Sequence, residues 1–90
     1  MADMKHSLSV TLAVLMFAAS AQAQTAQQAA QCNSQDPGQA VLGCTLILGL
    51  STIQPKVRSA VLSNRGRAYL LQGQNERALN DLDAAIKIDP

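Results

Sequence analysis

Ninety residues with a formal net charge of +1 allow one small domain and no polycationic face. Lys and Arg do not cluster, and beyond residue 23 Tyr69 is the sole aromatic side chain, so nucleic-acid binding is set aside. The one histidine, His6, lies near the start, which leaves neither a zinc set nor a histidine acid–base further along.

The chain opens MADMKHSLSVTLAVLMFAASAQAQ. Lys5 and His6 precede a mostly apolar run from Leu8 to Ala19, and Ala21-Gln22-Ala23 places small residues at an exit site. That order predicts a secretory signal peptide over 1–23, cut after Ala23, or after Ala21 as second choice. The apolar run falls short of the ~20 residues a bilayer requires, so no stable membrane span is expected after cleavage; an uncleaved anchor is the alternative. The product is expected in a periplasm or outside the cell.

Residues 24–35 are rich in Gln and Ala and lack a large apolar face, which predicts a flexible lead-in with at most a frayed turn. Cys32 and Cys44 would enter an oxidising compartment together. Asp36-Pro37 between them has the form of a helix start, Asp capping and Pro in the first turn. Cys44 then stands about 12 Å up that helix, a span the residues from Cys32 to Asp36 can retrace in extended form. A Cys32–Cys44 disulfide is the expectation, with free thiols or links between chains as alternatives.

Residues 36–54 supply a helix and a linker. DPGQAVLGCTLILGL is apolar nearly all round after Ala40, which predicts a helix covered on most sides, with a buried strand as competitor. Pro55 breaks the pattern, and 55–90 reads as a pair of helices. The first has a buried stripe of Leu62, Gly66 and Tyr69 and ends at Gly73. The second opens at Asn75-Glu76, carries Ala78, Leu82 and Ala85 inward, and closes at Asp89-Pro90. Small residues at the crossing allow close antiparallel packing. Leu70 and Leu71 on one helix, and Ile86 and Ile88 on the other, are left as bare apolar edges. Asp81 and Asp83 do not face each other on one helix and read as a solvated face. The mature segment shows no catalytic set, so no enzyme activity and no cofactor are expected.

Leu62, Asn64, Gly66, Ala68-Tyr69, Gly73, Ala78-Leu79, Leu82, Ala85-Ile86 and Asp89-Pro90 resemble one tetratricopeptide repeat. Arg65 and Asn75 depart from that pattern, where Leu and an aromatic residue are usual, and suggest looser packing. Ala40-Val41 and Cys44 look like the second helix of a preceding degenerate repeat, and the cysteine arrangement is similar to small exported bacterial members. The resemblance implies an all-α, antiparallel helix-turn-helix fragment of an α-solenoid that holds a protein or peptide partner. The first helix of such a pair lines the groove, which places Ser63, Asn64, Arg67, Leu70 and Leu71 there. Arg67 would hold a carboxylate and Asn64 a peptide backbone. Two alternatives accompany this reading: the chain is the front of a longer multi-repeat protein, or its bare edges pair with a second copy.

Overall fold

A computed structural model describes residues 24–90. The expected signal segment lies outside the described residues. Within them the protein is all-α, and four helices follow one another: α1 over 24–32, α2 Pro37–Leu48, α3 Pro55–Leu71 and α4 Asn75–Ile88. No described helix is long and apolar enough to cross a membrane.

The local signals act where the sequence places them. Asp36 Oδ1 accepts from the amides of Gly38 and Gln39, at 3.0 and 3.5 Å, and Pro37 occupies the first turn of α2. Pro55 opens α3 in the same way, though Gln54 makes no side-chain cap. Gly73 follows α3 with φ +75°, a backbone region that side chains with a Cβ avoid. Glu76 lies in the first turn of α4 and Lys87 in its last, each at the end whose partial charge it opposes.

The Gln/Ala-rich stretch differs from its expected form. Residues 24–32 are helical, and α1 packs on α2 instead of trailing as a lead-in. The reason is the absence of a side chain at Gly43: a Cβ there would come within 2.5 Å of the Cys32 backbone nitrogen. Helix α1 therefore lies against α2 almost backbone to backbone. Close contact of this kind replaces the large apolar stripe that α1 lacks.

The disulfide Cys32–Cys44 fixes this crossing, with 4.5 Å between Cα atoms. Both cysteines are buried, and with Ile47 and Val61 they form the core shared by α1, α2 and α3, flanked by Leu48 and Ile53. Helix α2 is covered on fewer sides than its composition suggested, since Leu42 and Leu46 are exposed. Its apolar outer face has no neighbour among the described residues.

Helices α3 and α4 run antiparallel: Ser59 meets Ala85, Arg65 meets Asp81, and Gly66 meets Leu82 and Ala78. Leu62, Gly66 and Tyr69 are buried on α3, as are Ala78 and Ala85 on α4, while Leu82 is half-buried. A Cβ on Gly66 would lie 2.9 Å from Leu82 Cγ, so the glycine sets the crossing distance. Buried Ser59 donates its hydroxyl to the Ala85 carbonyl at 2.9 Å, and the Asp89 amide donates to that same carbonyl. One acceptor thus ties the end of α4 to α3. Ile88 is half-buried, so the bare edge of α4 consists of Ile86 and Leu79, not of Ile88.

Arg65 departs most from its sequence reading. It does not loosen the pair. Its Nε and Nη2 grip both oxygens of Asp81 at 2.7 and 2.8 Å, and Nη1 donates to Thr45 on α2 at 3.2 Å. A guanidinium fork on a carboxylate is a strong, directional contact. Asp81 is correspondingly buried, in contrast to the solvated face expected for it. The hydrogen bonds that Arg65 donates to Asp81 raise its pKa against the opposing cost of its burial, so the cation stays charged. This single side chain joins α2, α3 and α4.

Candidate binding groove

Two hollows lie end to end along α3. One, of about 380 Å³, brings Asn64, Arg67 and Leu71 of α3 opposite Asn33, Gln35 and Pro37. The other, of about 530 Å³, is largely apolar, with Ala29 of α1, Ile47 of α2, Leu50 and Ile53 of the connection, and Val57 and Val61 of α3. Exposed Lys56 also lines it. Asn33 and Asn64 border both hollows, and Asn64 Nδ2 donates to Asn33 Oδ1 at 2.9 Å.

Of the five groove residues read from the sequence, Asn64, Arg67 and Leu71 converge on the smaller hollow. Ser63 is half-buried and lines neither hollow; Leu70 is exposed and also lines neither. Arg67 is exposed and makes no ion pair among the described residues, whereas Arg65, two residues earlier, is fully engaged. Helical geometry separates their fates, because neighbours two apart point to different faces.

The sequence reading missed Asn33, Lys56, Val57 and Ile53. A signal for Val57 and Val61 was present, since residues four apart on a helix share a face. Asn33 had none, because it follows a segment that was not expected to be helical. Among the described residues, no group of three or more Cys, His, Asp or Glu has a metal-binding arrangement.

The antiparallel pair α3–α4, with glycine and alanine at its crossing and a groove beside its first helix, is a helix-turn-helix repeat unit. Residues 59–90 match the family model of the tetratricopeptide repeat, and this segment is one such repeat. The repeat is a protein–protein interaction module. Comparison with curated proteins and with solved structures gives no match.

Proposed function

We propose that this protein is an exported scaffold that binds a peptide segment of another protein in the groove along α3. The observation that carries the reading is Arg67, a cation without an ion pair among the described residues, which shares one hollow beside the tetratricopeptide repeat's first helix with the amide of Asn64 and the exposed side chain of Leu71. A guanidinium offers fork donors to a carboxylate, and an amide offers one donor and one acceptor to a peptide backbone. Two features support export: the charged-then-apolar start with its small-residue exit, and a cysteine pair suited to an oxidising compartment. On this reading no cofactor takes part and no reaction is catalysed. The groove confers selectivity by shape and charge.

The test is recovery of the protein from its own bacterium with in-cell crosslinking. The fraction outside the cytoplasm is expected to begin at Gln24, and to carry a crosslinked protein partner. Arg67→Glu is expected to remove that partner while leaving the far-UV circular dichroism unchanged. Recovery of the chain in the cytoplasm with an intact N-terminus would overturn export, and an Arg67→Glu variant with its partner undiminished would overturn the groove.

A further inference from the structure

The groove has a charge bias that the repeat alone does not require. Cations line both hollows, Lys56 in the apolar one and Arg67 in the polar one, and no Asp or Glu lines either. Neither cation has a carboxylate partner among the described residues, where the one ion pair is Arg65 with Asp81. Asp36 lies next to the lining residues Gln35 and Pro37, but its Oδ1 is held by the amides at the start of α2. Beside Lys56 the wall is apolar, with Val57, Val61 and Ile53.

The Asn33–Asn64 pair stands where the hollows meet. Their mutual bond uses Asn64 Nδ2 and Asn33 Oδ1. Among the described residues Asn33 Nδ2 and Asn64 Oδ1 have no protein partner, which leaves the pair a donor group and an acceptor. A single residue of extended backbone presents the complementary carbonyl and amide.

Resting on the groove reading above, we propose that the partner segment is an extended peptide with an apolar centre and an acidic residue on each side. The apolar side chains fill the hollow at Val57 and Val61, one acid meets Lys56, the other meets Arg67, and the Asn33–Asn64 pair holds the backbone between them. The spacing follows from helix geometry. Lys56 and Arg67 are separated by roughly 16 Å along α3, at about 1.5 Å of rise per residue. An extended strand covers that distance in about five residues. The recognised pattern is therefore two acids about five positions apart with Val, Leu or Ile between them.

The experiment is fluorescence anisotropy with the purified, oxidised protein and three labelled peptides of equal length. One has an apolar centre between two Glu, one the same centre between two Lys, and one a Ser/Gln centre between two Glu. The first is expected to bind about tenfold more tightly than either control. Lys56→Glu and Arg67→Glu are each expected to weaken it, and the double variant to prefer the Lys-flanked peptide. Equal binding of all three through the groove overturns this pattern but leaves an interaction module standing. Binding of none, while the crosslinked natural partner is still held, also overturns the pattern alone. Loss of both peptides and partner overturns the groove as a whole.

Discussion

Replacing Cys32 and Cys44 together by alanine is expected to lower the unfolding free energy by about 3 kcal/mol, the effect of removing a crosslink that closes a short loop. The two cysteines are 12 residues apart in sequence, and the crosslink restricts the unfolded chain over that stretch. For a chain this size the same loss corresponds to roughly 15 °C in the midpoint. The change is large against the total, since small domains are stable by only about 5–10 kcal/mol. The deletion also bears on a particular element. Helix α1 rests on α2 by backbone contact at Gly43 and has few large side chains of its own, so it is expected to leave first. Thermal melts followed by far-UV circular dichroism measure the shift. Reductant should lower the midpoint of the natural protein and leave the double variant where it is. Identical midpoints for oxidised protein and variant would show that Ile47, Val61 and their neighbours hold α1 without the crosslink.

Asp81→Ala is expected to cost about 2–3 kcal/mol, somewhat below the usual loss when one member of a buried ion pair is removed. Arg65 retains 20% of its side-chain exposure and Asp81 only 9%, so the stranded guanidinium recovers part of its hydration. Asp83→Ala, two residues away on the exposed side of the same helix, is expected to change stability by about 0.5 kcal/mol or less. The contrast is the informative part, because the two aspartates look alike in sequence. A double change, Arg65→Met with Asp81→Leu, should recover most of the loss by replacing the pair with apolar packing. Urea denaturation of the four proteins decides the matter. Equal stability of Asp81→Ala and Asp83→Ala would mean that the clamp contributes little.

These two cases also mark what the sequence could disclose. Gly66, Ala78 and Ala85 announce a close crossing because small residues at helical spacing have few other uses. Asp36-Pro37 announces a helix start because capping and proline geometry are local. Both kinds of signal survive without knowledge of tertiary contacts. The disulfide could be reached by estimating distances along α2. Asp81 could not be told from Asp83 by polarity, but register distinguishes them. Once Gly66 is set against Ala78 and Leu82, antiparallel order brings Arg65 opposite Asp81. Helix α1 was hidden for another reason. Its support comes from a glycine and a cysteine on a different element, so its own residues carry little trace of it. The same gap concealed Asn33, and with it one wall of the groove. Leu70 illustrates the opposite error: it belongs to the groove helix but lies outside both hollows.

Tyr69 is buried on α3 with the guanidinium of Arg65 at 5.6 Å from its ring centre and that of Arg77 at 5.9 Å. The chain contains no tryptophan. Its ultraviolet emission therefore originates almost wholly in one phenol, placed where the two helices of the repeat meet. That ring is a native optical gauge of the α3–α4 interface, readable without a dye, while the disulfide-bound half of the molecule stays dark.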